Sequence, residues 1–363
     1  MTLTELILAI NPGSTSTKLG VFDGERELIE ETIEHPLEQL AKYPRIIRQR
    51  DFRLGYITAM LAKNKIVLKD FKAIVGRGGL LRPIPGGTYL VNDRMIEELT
   101  AENAEEHASN LGGILARVLA DEGGCPAYIV DPVIVDELAP VARLSGWPEL
   151  ERRSVFHALN HKAIAQKYAR EIGRNYEQLS LIVAHLGGGI SVGLHDQGKV
   201  IDVNNALSGE GPFSPNRTGG LSTFDLARLC FSGKYSFAEI KKILLKEGGL
   251  IAYLGTADIR RVEEMIEQGD KKAALVFEAL IYQVAKEIGS LAPVLNGKID
   301  AIILTGGVAY SERFISKLSP MVEFIAPVKL YPGAEELSAL AAGAYRVLTG
   351  LEEARIYGEP PEI

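Results

Sequence analysis

Short apolar runs that end in glycine and hydroxyl clusters set the rhythm of this chain. Residues 6–10 are apolar and lead into Asn11-Pro12-Gly13-Ser14-Thr15-Ser16-Thr17-Lys18, after which the apolar residues 19–22 stop at Asp23-Gly24. Runs of this length between turn residues predict strands, and Asp-Gly predicts a tight hairpin after the second. The arrangement returns in residues 181–184, the turn His185-Leu186-Gly187-Gly188-Gly189, residues 190–194, a turn at Asp196-Gln197-Gly198-Lys199, and residues 200–203. The recurrence predicts a duplicated chain, each copy feeding a buried strand into a small-residue turn and then into an antiparallel partner. A third glycine turn, Thr305-Gly306-Gly307, follows the apolar residues 301–304.

Between these landmarks the apolar spacing becomes helical. It predicts helices over 156–172 and 334–349, and one over 95–120 broken near Gly112-Gly113. Ser222-x-x-Asp225 and the capping box Ser236-x-x-Glu239 precede helical residues 226–230 and 240–246, with further helical stretches at 262–266 and 311–317. Strands alternating with helices predict an α/β fold. No Pro- or Ser-rich linker divides the chain, so the repeat alone sets the domains: 1–155 and 156–339.

Composition adds exclusions. The 363 residues are 46% hydrophobic and 24% charged, enough apolar material for two soluble domains. Forty Lys and Arg against 47 Asp and Glu give a net charge of −7, which argues against nucleic acid or an anionic membrane as partner. No apolar run nears the roughly 18 residues of a membrane span, and the first residues carry no basic leader. Cys125 and Cys230 stand far apart, without Cys or His at ligand spacing, which fits a reducing cytoplasm.

The glycine turns carry the chemistry. Backbone N–H groups and hydroxyls such as Ser14 and Ser16 suit phosphate oxygens, and Lys18 adds a mobile charge. Gly187, Gly188 and Gly189, beside His185, allow a ligand close to the backbone, as do Gly306 and Gly307. Each turn alone is equally a plain hairpin; three of them, two in equivalent places, point to nucleotide phosphates held between two halves. There is no Walker loop and no G-x-G-x-x-G. Gly220-Leu221-Ser222-Thr223-Phe224 lacks the final glycine of a nucleophile elbow and reads as a helix cap. His157 and His161 share a helix face without a third metal ligand, and His35 and His195 read as surface residues. Arg77 in Gly76-Arg77-Gly78-Gly79 and Arg217 in Asn216-Arg217-Thr218-Gly219-Gly220 stand out, because flanking glycines expose a guanidinium that matches carboxylate or phosphate oxygens. His107 and Asp131 also stand in small-residue surroundings.

In their order, Asn11 to Lys18, Gly76 to Gly79, Phe156-His157-Ala158-Leu159-Asn160-His161, His185 to Gly189, Asn216 to Gly220 and Thr305 to Gly307 resemble the acetokinase family. Asn11-Pro12, Arg77-Gly78-Gly79 and Ala158-Leu159-Asn160-His161 resemble its branch acting on butyrate and branched-chain fatty acids. The resemblance implies a duplicated, actin-like (ribonuclease H-like) two-domain ATPase fold with an interdomain cleft, the helix at about 340–363 packing back on the first domain. It implies reversible phosphoryl transfer from ATP to a short-chain fatty acid carboxylate, with ADP as co-product and Mg²⁺ as cofactor, in a cytoplasmic homo-oligomer of at least two chains. Acetate or propionate as substrate, or a non-catalytic ATP-binding module, remain the alternatives. By the same resemblance Asn11 and Glu335 (over Glu336) match metal positions. Ser14, Ser16, Lys18, His185, Gly187, Gly188, Gly189, Gly306 and Gly307 match nucleotide contacts, and Asp258 and Arg260 lie near adenosine. Arg77 matches the carboxylate binder and His107 another substrate contact. Asp131 matches the essential aspartate, while His157 and Arg217 match the groups that stabilise the transferring phosphoryl group.

Overall fold

The computed structural model describes residues 5–102 and 107–358. One unit of the chain runs to Val135 and resumes at Glu335; the other is Asp136–Ala334. The first holds β1 (Leu6–Pro12), β2 (Ser16–Asp23), β3 (Arg26–Glu34), β4 (Ala73–Arg77), β5 (Thr88–Leu90), β6 (Ala127–Val130) and, from the chain's end, β12 (Arg355–Ile356), in the order β12-β5-β6-β4-β1-β2-β3. The second holds β7 (Ser180–Leu186), β8 (Ile190–Asp196), β9 (Lys199–Val203), β10 (Ala301–Gly306) and β11 (Val328–Pro332), in the order β11-β10-β7-β8-β9.

The duplication is visible strand by strand. β1 pairs antiparallel with β2 and β2 with β3, while β4 and then β6 add parallel on the other side of β1. In the second unit β7, β8 and β9 repeat the antiparallel part, and β10 and β11 the parallel part. Even the register shift recurs, at Val21/Phe22 and at Leu194/His195. Strands β1, β6 and β10 are buried along their full length, as expected when helices cover both faces of a sheet. In the first unit Leu6, Leu8 and Ile10 pack into a core shared with helices Arg50–Lys63 and Asn110–Gly123; helix Glu336–Leu348 also lies against β1, β2, β4 and β6. In the second unit Ile182 and Ala184 pack with helix Lys271–Leu291, whereas Leu181 and Val183 pack with helix Ala158–Glu171. Alternate side chains of one strand thus serve two cores.

Several expectations need correction. The helical stretch expected over 95–120 is two helices, Asp93–Thr100 and Asn110–Gly123, with part of the interruption, 103–106, outside the described residues. Gly112 and Gly113 lie within the second helix and do not break it. They bring it against β4: a Cβ on Gly76 would stand 2.0 Å from the Gly112 carbonyl oxygen, and one on Gly112 2.2 Å from that of Arg77. The glycine beside Arg77 therefore serves backbone packing rather than exposure of the guanidinium. Residues 136–155, expected in the first domain, group with the second unit. Ala139 N–H donates to the Ile201 carbonyl, and Arg152 holds Asp202 and the Val203 carbonyl.

His35 and His195, expected at the surface, are 3% and 0% exposed. Each lies on or beside a strand whose neighbours cover it, and each has a polar partner inside: the Thr17 hydroxyl lies 2.8 Å from His35 Nε2, and the Tyr176 hydroxyl 2.7 Å from His195 Nδ1. The capping box at Ser236 and Glu239 is present, whereas Ser222 begins helix Thr223–Cys230 without a side-chain cap bond. Among the described residues no helix is long and apolar enough to cross a membrane.

Candidate active site

In the first unit, the carboxyl ends of three parallel strands carry the candidate chemistry, the usual place for a ligand in such sheets. Ile10 lies opposite Gly76 and Arg77 opposite Val130, so Asn11, Arg77 and Asp131 follow one another across the sheet edge. Arg77 Nη1 donates to the Glu336 carboxylate at 3.1 Å and to Asn11 Oδ1 at 3.3 Å, and Asn11 Nδ2 donates to Glu336 at 2.5 Å. Glu335, expected at this metal position, is exposed at the cap of helix Glu336–Leu348, and the helix instead brings Glu336 to Asn11.

Asp131 is buried with a φ of +37°, a backbone region costly for a non-glycine residue. The conformation is held locally: the Asp131 carboxylate accepts from Gly87 N–H at 2.7 Å, and Asp131 N–H donates to the Gly87 carbonyl at 3.1 Å. His107 is exposed, its Nδ1 2.7 Å from the Ser109 hydroxyl. In the β1–β2 turn Ser14 and Lys18 are exposed and Ser16 half-buried.

The second unit gathers its candidates at the ends of β7 and β10, where Thr305 lies opposite His185. After β7 the chain turns through Gly187, Gly188 and Gly189, with Gly187 N–H donating to the Gly189 carbonyl and the Ser214 hydroxyl donating to that of Gly188. After β10, Gly306 exchanges two backbone hydrogen bonds with Gly333. Gly189 makes room for Arg217: a Cβ there would lie 2.2 Å from Nη1. That guanidinium donates to the Ala206 carbonyl at 2.6 Å, has no carboxylate in salt-bridge range among the described residues, and is weakened as a base by burial. Arg217 Nε and the neighbouring Asn216 Oδ1 are buried without a hydrogen-bond partner. Buried polar atoms are normally satisfied, so two orphans beside a glycine turn mark a place for a polar ligand.

His157 precedes helix Ala158–Glu171 and stacks on His185, with ring centroids 3.8 Å apart. His185 Nδ1 lies 2.7 Å from Asn160 Oδ1. Ser191 Oγ lies 2.8 Å from His157 Nδ1 and 2.9 Å from His161 Nε2, and His161 Nδ1 lies 3.3 Å from His195 Nε2. Burial pushes His161 and His195 well below the usual histidine range, His161 further through its histidine neighbours and His195 through Lys162. His157 and His161 thus share the Ser191 hydroxyl, and no cluster of three or more His, Cys, Asp or Glu side chains placed to hold a metal ion occurs among the described residues. Asp258 caps helix Ile259–Glu267 through Arg260 N–H at 3.0 Å and also pairs with the exposed Arg260 guanidinium.

Sequence reasoning gave no role to Asn216 or Ser191 and ranked Glu336 below Glu335. The amide beside Arg217 and the alternation along β8 were visible signals for the first two.

Residues 148–324 match the family model described as the Acetokinase family. The chain is 53% identical over 351 residues, 97% of its own length and 99% of the relative's, to "Butyrate kinase 1" of Clostridium acetobutylicum. It is 52% identical, with the same coverage, to "Probable butyrate kinase" of Clostridium botulinum. Among solved structures, the acetate kinase of Porphyromonas gingivalis superposes with a TM-score of 0.77 at 18% identity, covering 96% of this chain and 100% of that one.

Proposed function

The chain belongs to the acetokinase family, and from that premise we propose that it moves the γ-phosphoryl group of ATP reversibly to the carboxylate of butyrate or a related short-chain fatty acid, giving the acyl phosphate and ADP. One observation carries this reading: identity above half along 97% of the chain to relatives named as butyrate kinases.

The acid is ionised at neutral pH, because a carboxyl group of this kind titrates near 4 to 5. No general base is needed. The obstacle is repulsion between two anions, so the protein must neutralise charge and fix an in-line approach. Arg77 holds the carboxylate; Glu336 and Asn11 occupy its Nη1, and a guanidinium has further donors for the acid. His107 is a second contact to the acid. Arg217 and His157 meet the equatorial oxygens of the transferring group. A desolvated guanidinium acts on charge developing there with little reorganisation, and the orphaned Arg217 Nε supports that role.

The N–H groups around Ser14 and Ser16, Lys18, His185 and the glycine turns at Gly187, Gly188, Gly189, Gly306 and Gly307 hold the nucleotide, with Asp258 and Arg260 toward its adenosine. The carboxylate of Glu336 and the amide oxygen of Asn11 are hard oxygen donors of the kind Mg²⁺ takes, completed by water and phosphate oxygens. Asn11 and Glu336 would hold the ion there, and its positive charge would offset that of the phosphates. Asp131 would orient the metal or a water rather than abstract a proton. The enzyme works in the cytoplasm as a homo-oligomer of at least two chains.

Hydroxylamine trapping tests the reaction: ATP, Mg²⁺ and butyrate should yield the hydroxamate, and none formed would refute it. Two methylenes separate butyrate from acetate by only about 1.6 kcal/mol of burial, so overlap among neighbouring acids is expected. A higher kcat/KM for acetate than for butyrate or isobutyrate would overturn the substrate assignment.

A further inference from the structure

We propose that Arg53, which no sequence motif singles out, is a positioning residue for the β1–β2 turn: it fixes the turn as an anion-binding loop and places an uncancelled positive charge behind it. The proposal rests on the reading of this turn as a contact for nucleotide phosphates.

Arg53 sits in helix Arg50–Lys63 and is fully buried. Burial lowers it to about 10, so it remains a cation at neutral pH. Among the described residues its partners are oxygens of neutral groups. Nη1 donates to the Ser16 carbonyl at 2.8 Å and to the Thr17 hydroxyl at 2.9 Å. Nη2 donates to the Gly13 carbonyl at 2.9 Å and, more weakly, to that of Ser14 at 3.4 Å. Nε and Nη2 both reach Gln49 Oε1, at 3.1 and 2.9 Å. The remaining carbonyl of the turn, Thr15, accepts from His35 N–H at 2.7 Å. Four successive carbonyls, residues 13 to 16, are thereby held from the protein side.

A peptide unit whose C=O points inward presents its N–H outward. Ser14 and Thr15 are exposed, and their N–H groups have no partner among the described residues. Successive outward N–H groups form a concavity suited to an oxyanion. Sterically, a neutral side chain could hold such a turn. A buried guanidinium without a carboxylate is costly, and what it adds is electrostatic. His35 brings no counter-charge: burial and then Arg53 lower it to about 4, so it is neutral at pH 7, with Nε2 2.8 Å from the Thr17 hydroxyl that accepts from Arg53. The positive charge is left for a ligand, and the ligand class it fits is a phosphate anion.

The test uses the full-length enzyme. Arg53→Gln removes the charge and most of the fork; Arg53→Lys keeps the charge alone. Charge-assisted hydrogen bonds of this strength predict that Arg53→Gln weakens ADP binding, read by calorimetry, by roughly 10- to 100-fold. KM for ATP should rise in parallel, KM for butyrate should stay within about twofold, and Arg53→Lys should recover part of the loss. A folded Arg53→Gln protein that binds ADP as the wild type does would overturn the proposal. Should neither variant fold, the wild type still decides: ADP must shift the amide resonances of Ser14 and Thr15, and unmoved resonances would sink it. ADP binding is read without turnover, so a failure of the kinase reaction itself shows separately, in the hydroxamate assay.

Discussion

At the scale of single residues, Arg217 is where chemistry and structure meet most tightly. Its guanidinium is desolvated and, among the described residues, has no carboxylate in salt-bridge range and leaves Nε without a partner, a state that costs stability and that an arriving anion would offset. Arg217→Ala should therefore lower kcat by about 10² or more, since the lost interaction strengthens as charge develops on the transferring group. Steady-state kinetics at saturating butyrate and ATP decide it: a raised KM with kcat near wild type would assign Arg217 to ground-state binding instead. Arg217 drew notice in the sequence as a candidate because glycines lie beside it in a polar loop. That Glu336 rather than Glu335 meets Asn11 was not legible, since two adjacent glutamates differ only in where the helix begins, and one residue of phase turns a side chain by about 100°. Nor was the burial of His195, because an imidazole inside a strand can be satisfied only by partners distant in sequence, here Tyr176 and His161.

At the scale of elements, glycines separate into those that break structure and those that let elements touch. Strands β1, β2 and β7 to β10 and several helices could be read from periodicity and caps, whereas β3, β4, β5, β11 and β12 and helices Arg50–Lys63 and Lys271–Leu291 were not, and Gly112 looked like a helix break because its purpose lies on another element, β4. Gly112→Ala should destabilise the protein by about 3 kcal/mol, as overpacking against backbone does, for the added Cβ would lie 2.2 Å from the Arg77 carbonyl oxygen. Gly55, exposed in helix Arg50–Lys63, meets nothing within 4 Å, so Gly55→Ala should stabilise by about 0.5–1 kcal/mol through helix propensity. Urea denaturation of the two variants side by side is the measurement. Equal effects would mean that the helix Asn110–Gly123 yields to the extra atom by shifting off β4.

For the molecule as a whole, the duplication was legible and the acid sensitivity was not. The repeat showed because each copy places the same turn after the same kind of strand, whereas burial of a titratable group depends on the packed units. Each unit encloses histidine in neutral form: burial and then Arg53 push His35 down to about 4, and His161 and His195 also lie well below their ordinary 6.5. Unfolded, all three titrate near 6.5, so as pH falls below that value the unfolded chain binds protons that the folded chain refuses. Stability from this source is complete above about pH 6.5 and declines by about 1.4 kcal/mol per pH unit for each such group until its folded value is reached. For His35 alone the window closes near pH 4, a total of about 3 kcal/mol. Carboxylates add their own loss only lower, near their pKa values of about 4. Urea midpoints followed by circular dichroism should therefore be level from pH 8 to 7 and fall steeply between pH 6.5 and 5, and His35→Gln should make that fall shallower. A midpoint unchanged between pH 7.5 and 5 would require these imidazoles to find charged-state partners inside the folded protein, which contradicts their desolvation and the cation, Arg53, beside the first of them.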